Sequence, residues 1–224
     1  MLYSTINSLY KIWQTLALID NTIKISNIDD KNVIIKWING QDSTSGYFNL
    51  NSRETLHFPF HGVAMRLWAE YHINQPQTLF EWTRKQGEEQ HAIIDISLVD
   101  GVGASFNLIG NNINITADFN SNVCNEANSP YTNNGCLSPC SRTHDDIKCC
   151  AGEYNTPHTC TIDNHAIDFD VLQWCNAIKK VICPARVYCF AYDDSAGTLS
   201  NPGAGLHIVF WDNLNYQNAN NFLN

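Results

Sequence analysis

Cysteine is missing from the first 123 residues of this 224-residue chain and from its last 35; all nine cysteines fall between Cys124 and Cys189. Any cross-linking is therefore confined to one segment. Long apolar runs are missing too: a membrane-spanning helix needs about 18 apolar residues, and no stretch supplies them. Basic residues are scarce, 13 Lys and Arg against 22 Asp and Glu, for a formal charge of −9. Nucleic acid binding calls for a basic stripe that displaces counterions. Here the only basic doublets are Arg84-Lys85 and Lys179-Lys180, so that class of partner is excluded. There is no internal repeat, no G-x-S-x-G nucleophile turn and no calcium-loop spacing. "GVGAS" reads as a turn, because no helix with Lys or Ser/Thr at phosphate-loop spacing follows it. The N-terminus lacks a good secretory signal, since Lys11 interrupts it and no small-residue cleavage site follows.

What is present is globular: 44% hydrophobic and 11% aromatic residues are ample for a packed core. The dense cysteines suit a disulfide-stapled lobe made in an oxidising compartment. Zinc is the rival reading, with Cys149, Cys150, Cys160 and His158 as ligands. But no C-x2-C pair exists, and adjacent cysteines serve one tetrahedral site poorly. Export would imply a signal removed ahead of Met1; the alternative is a native Met1 and reduced cysteines. The odd count leaves one thiol over.

Leu2, Ile6, Leu9, Tyr10, Trp13, Leu16 and Ala17 recur at three-and-four spacing, which predicts an amphipathic helical extension over 1–21. From Thr22 the period changes. Segments such as "TIKISNI", "KNVIIKWIN", "GVAMRLWAEYHI", "HAIIDISLVDG" and "INITADF" alternate apolar and polar residues between Asn, Asp, Gly and Ser turns. That pattern predicts a sandwich or barrel of short strands over 22–121, with "AGLHIVFW" returning to it within 191–213. The intervening 122–190 is the cysteine-rich lobe. Its one clear helix is "DFDVLQWCNAIKKVICP", striped by Val171, Leu172, Cys175, Ile178 and Ile182 and stopped by Pro184. Residues 214–224 form a polar, asparagine-rich tail. His57 and His61 are four apart, but Pro59 between them argues against a helical metal pair. Asn114-Ile115-Thr116 is a glycosylation sequon.

Several stretches together resemble the thaumatin-like proteins. "LNSRETLHF" and "MRLWAEYHI" are similar to that family's "LNSGESW" and "IWAR" segments, "TLFEWT" to "TLAEFT", and "DISLVDGVGASFNL" to "DVSLVDGFNLPM". "NNGCLSPCSR" resembles "GGCNNPCT", "KCCAG" resembles "YCCTG", and "VICPARVYCFAYDD" resembles "CPDAYSYAYDD". The resemblance runs from about Thr22 to Asp212. It implies a mainly β fold: a thaumatin-like antiparallel β-sandwich with a disulfide-rich loop and helix lobe. The small cysteine-containing subdomain of larger members is absent, because only "YHINQPQ" fills its place. A family bridge joining the first and last strands is lost at both ends, at about Asp29 and Trp211. The resemblance pairs Cys124 with Cys136, Cys140 with Cys149, and Cys150 with Cys160. Among Cys175, Cys183 and Cys189, Cys175–Cys189 and Cys175–Cys183 stay open.

The family has an acidic cleft of one Arg, one Glu and three Asp. Carried over, its Glu falls on Glu81, two Asp on Asp95 and Asp100, and the third on Asp193; the Arg position is taken by Glu70, with Arg66 four residues earlier. Residues five apart on a plain strand face opposite ways. Asp95 and Asp100 converge only if Asp100-Gly101 makes a bulge or turn. The implied function is a secreted, monomeric protein whose cleft binds carbohydrate, namely β-glucan, without a cofactor or metal. A second reading is a weak endo-β-1,3-glucanase with Glu81 as acid and Asp100 as nucleophile or base. A third is a protein-interaction factor on the same scaffold, with the N-terminal helix as its contact. Trp82, Tyr71, Tyr192 and Phe190 are the aromatics that could stack on sugar rings.

Overall fold

A computed structural model of the chain describes residues 22–84, 92–110, 113–160, 169–193, 199–200 and 206–212. The helix expected over 1–21 and the tail expected at 214–224 lie outside these residues. The strands run in chain order as β1 (Thr22–Asn27), β2 (Val33–Asn39), β3 (Ser45–Leu50), β4 (Thr55–Pro59) and β5 (Gly62–Glu70). They continue with β6 (Leu79–Arg84), β7 (Ile93–Ser97), β8 (Gly101–Val102), β9 (Ser105–Gly110) and β10 (Ile113–Ala117). The last are β11 (Tyr131–Thr132), β12 (Gly135–Leu137), β13 (Ile182–Cys183), β14 (Leu199–Ser200) and β15 (His207–Trp211).

Two six-stranded sheets form a sandwich. The first has the order β13-β10-β9-β15-β1-β4 and the second β14-β7-β6-β5-β2-β3; a small third sheet joins β11, β12 and β8. Pairing is antiparallel throughout the two large sheets except between β1 and β15, which run parallel. Alternation makes the core: Ile23 and Ile25 of β1, Phe80 and Trp82 of β6, and Ile208 and Phe210 of β15 are all buried. Phe80 bridges the layers, meeting Phe106 at 5.0 Å and Phe210 at 5.4 Å, both edge to face. His57 lies on β4, a strand, as Pro59 required.

The lobe is built from short helices over Ser121–Glu126, Pro139–Thr143 and Asp146–Cys149 and one longer helix, Phe169–Lys179. The longer helix buries Val171, Trp174, Cys175, Ala177 and Ile178. Leu172, expected in that stripe, is only half-buried, and Ile182 belongs to β13. Disulfides join Cys124 to Cys136, Cys140 to Cys149, Cys150 to Cys160 and Cys175 to Cys189. Cys183 is therefore no disulfide residue: its thiol is free and exposed. The zinc reading falls, because every proposed ligand sulfur is held in a disulfide, Cys150 with Cys160 and Cys149 with Cys140.

Where the bridge between first and last strands is missing, polar contacts take over. Asp29 Oδ2 accepts from the backbone N–H of Asp212 at 3.1 Å. Asp212 Oδ2 accepts from Lys31 Nζ at 2.7 Å and lies 3.0 Å from His72 Nε2. Both aspartates are buried, so these partners repay part of their desolvation.

Candidate functional site

The site begins with one row across the second sheet. Arg66 on β5 stands opposite Glu81 on β6, and Glu81 stands opposite Asp95 on β7. Their strand neighbours Leu67, Phe80, Trp82, Ile94 and Ile96 are all buried in the core. Alternation therefore turns Arg66, Glu81 and Asp95 to the outer face together. Arg66 Nε donates to Glu81 Oε1 at 2.8 Å.

Asp100 reaches the same face through a turn. The N–H of Gly101 donates to Leu98 O at 3.1 Å, and Gly101 takes a φ of +131°. A side chain there would be strained twice, because a Cβ would also meet the carbonyl oxygen of Cys136 at 2.6 Å. The turn is pinned from the lobe: Ser138 Oγ donates to Val99 O, and Ser141 Oγ donates to Asp100 O at 2.8 Å. This turn is what lets carboxylates five residues apart line one cleft.

The opposite wall comes from the lobe. Tyr188 pairs with the end of β7, its O accepting from Leu98 N at 2.7 Å and its N–H donating to Ile96 O at 2.8 Å. Tyr192 has a φ of +64°, which is costly for a bulky residue, and its hydroxyl is tied to Asn155 O. The cleft between these walls has a volume of about 410 Å³, with Leu79, Ser97, Val99 and Ala191 completing its lining. Burial pushes the Asp100 carboxyl above the usual range, against a weaker pull downward from Arg66.

Of the sequence-predicted residues, Glu81, Asp95 and Asp100 line this cleft, and Glu70 and Asp193 do not. Glu70 shares the face of Arg66 but sits four residues along β5, roughly 13 Å away at strand rise. There it takes Lys36 Nζ at 2.8 Å and Trp68 Nε1 at 2.9 Å. Asp193 is buried and held by Lys179 Nζ at 2.6 Å. Arg66 is the cation that the carried-over Arg position missed; its place between inward-facing Met65 and Leu67 was the available signal. Among the aromatics, Trp82 and Phe190 are core, and Tyr71 spends its hydroxyl on Asn27 Oδ1 at 2.7 Å. Tyr192 lines the cleft, joined by Tyr188.

Among the described residues, one cluster has metal-like ligand spacing: Cys175, Cys189 and Asp193. Its two sulfurs form a disulfide and Lys179 occupies the carboxylate, so it offers no metal site. No helix among the described residues is long and apolar enough to cross a membrane.

Comparison with known proteins follows the same lines. Residues 64–212, more than half of the chain, match the model of the Thaumatin family. The chain is 28% identical over 144 residues to pathogenesis-related protein 5 of Arabidopsis thaliana, covering 60% of this chain and 55% of that protein. The match thus spans about half the length of that curated relative. Among solved structures, the GH family 64 laminaripentaose-producing β-1,3-glucanase of Paenibacillus barengoltzii, complexed with laminarihexaose, superposes with a TM-score of 0.55 at 13% identity, over 85% of this chain and 75% of that one. The β-1,3-glucanase domain of Clostridium beijerinckii superposes with a TM-score of 0.53 at 9% identity, over 85% of this chain and 98% of that one. At these identities the likeness is one of fold.

Proposed function

Because this chain belongs to the thaumatin family, we propose that its acidic cleft binds a neutral carbohydrate, a β-1,3-glucan. The observation that carries the reading is the Arg66–Glu81–Asp95 row facing Tyr188 and Tyr192 across a cleft with Asp100 at its end. Carboxylates accept hydrogen bonds from sugar hydroxyls, the guanidinium donates them, and tyrosine rings offer flat apolar faces. The net negative lining repels anionic polymers. The glucanase fold relatives, one of them complexed with laminarihexaose, add support.

Pull-down on insoluble linear β-1,3-glucan, with reducing ends assayed in the supernatant, tests this. Retention that weakens in Glu81→Gln and Asp100→Asn is the expected result. Wild-type protein that stays in the supernatant would end the reading.

Glycoside hydrolysis is a second reading, favoured by one feature: Asp100 holds its proton more tightly than an ordinary carboxyl. That suits a general acid, and Glu81, engaged by Arg66, suits the partner carboxylate. These roles reverse the sequence-based assignment. Soluble product that vanishes in both variants would establish it. The four disulfides support export to an oxidising compartment. The protein-partner reading rests on residues 1–21, outside the described residues.

A further inference from the structure

The outer face of the first sheet, across the core from the cleft, carries a groove of about 340 Å³. Strand register builds it. His57 on β4, Lys24 on β1 and His207 on β15 stand directly opposite one another in one row. Ile23 and Ile25 are in the core, so this row points outward. The next row places Thr55, Ser26 and Val209 side by side. Lys24, His207, Ser26 and Thr55 line the groove, with Arg53 beside them and Ile28, Ile109 and Val209 as its apolar surface.

Here an ammonium stands between two imidazoles, a cluster of basic groups in a chain of net charge −9. Among the described residues that line the groove there is no carboxylate. The adjacent Asp30 is held by Arg53 at 2.7 and 3.1 Å. The hydroxyls are arranged around the bases: Ser26 Oγ lies 2.8 Å from His207 Nε2 and 2.7 Å from Thr55 Oγ1, and Thr22 Oγ1 lies 3.1 Å from His57 Nδ1.

We propose that this groove binds a small organic anion, a carboxylate or phosphate on an apolar body. The charged group sits on the Lys24–His207 row and the body rests on Ile28, Ile109 and Val209. The volume suits a small ligand, and the charge is opposite to that of the glucan cleft. The reading does not depend on the cleft binding sugar. Burial, then Lys24 and His57, draw the His207 pKa down to about 4. An arriving anion favours the charged ring against that burial, so binding takes up part of a proton, more at pH 5 than at pH 6.

Calorimetry on the full chain at pH 6, in two buffers of different ionisation enthalpy, tests this with hexanoate and with inorganic phosphate as probes. Hexanoate should bind at one saturable site with proton uptake, and should shift the His57 and His207 ring signals in NMR. Lys24→Ala, an exposed change, should weaken binding about tenfold, the scale of one charge-assisted contact. His207→Gln, which keeps a partner for Ser26, should abolish the proton uptake. The proposal is overturned if hexanoate does not saturate, if its binding is indifferent to Lys24→Ala, or if phosphate binds and hexanoate does not.

Discussion

Asp29 and Asp212 meet across 183 residues of sequence, the carboxylate of one accepting the backbone N–H of the other at 3.1 Å. The contact lies where the family resemblance places a lost disulfide. Lys31 and His72 hold the Asp212 carboxyl below the usual range, overcoming its burial.

The sign of the pH effect follows. A carboxyl whose folded-state pKa is lowered contributes stability above its unfolded pKa, near 3.8, and loses it as pH falls through the lower folded value. Wild type should therefore unfold at lower urea concentrations below about pH 4. Asp212→Asn should be less stable than wild type by roughly 1–3 kcal/mol at pH 7, with the gap closing in acid. A gap that stays constant down to pH 2.5 would show that the ion pairs do not carry the effect.

Asp100 works the other way. Its raised pKa means the ionised form is penalised on folding, so the penalty is fully present above the folded-state value and is relieved as pH falls through it toward the unfolded value near 3.8. Asp100→Asn should be as stable as wild type or slightly more stable at pH 7. A loss above about 1 kcal/mol would show that the carboxylate holds the turn, beyond the typical surface effect.

Arg66 separates binding from folding. Its side chain is 54% exposed, and surface ion pairs are worth about 0–1 kcal/mol. Arg66→Met should leave the unfolding midpoint nearly unchanged while reducing retention on β-1,3-glucan several-fold. It should also raise the Asp100 pKa further, visible in carboxyl NMR titration, because Arg66 now pulls that value down. Equal loss of stability and binding would make the row structural.

Gly101→Ala asks for both a positive φ and a close approach to the Cys136 carbonyl oxygen. A cost of roughly 1–3 kcal/mol is expected, along with weaker glucan binding, since the turn aims Asp100. An alanine variant with wild-type stability in chemical denaturation would mean that the turn relaxes freely.

Native protein should react with one equivalent of a thiol reagent, at Cys183. Cys183→Ser should silence the reaction without moving the unfolding midpoint, whereas removing Cys175–Cys189 should cost about 2–4 kcal/mol. A second reactive thiol in the native state would contradict the pairing.

The β-sandwich was legible because period-two alternation is read locally, as in β1, β4 and β10. The cleft was half legible. Glu81, Asp95 and Asp100 came from motif resemblance, and the Gly at 101 announced the turn that unites them. Arg66 and Glu70 were harder to tell apart, since both project to one face of β5. Only the register with β6 shows that residue 66, not 70, stands opposite Glu81. Leu172 and Trp174 show the same limit in the lobe. The helix stripe fixes a face to within one position, and the disulfide at Cys175 sets which side is buried. Cys183 against Cys189 could not be decided from spacing, because sequence distance does not report where two sulfurs meet.

The parallel pairing of β1 with β15 has a consequence for biosynthesis. β15 sits between β9 and β1 in the middle of the first sheet, so that sheet stays split until residue 211 has been made. Once β9 has been made, the nascent chain carries two unpaired strand edges until β15 arrives, the condition in which intermediates stick to one another. Such non-local pairing folds slowly.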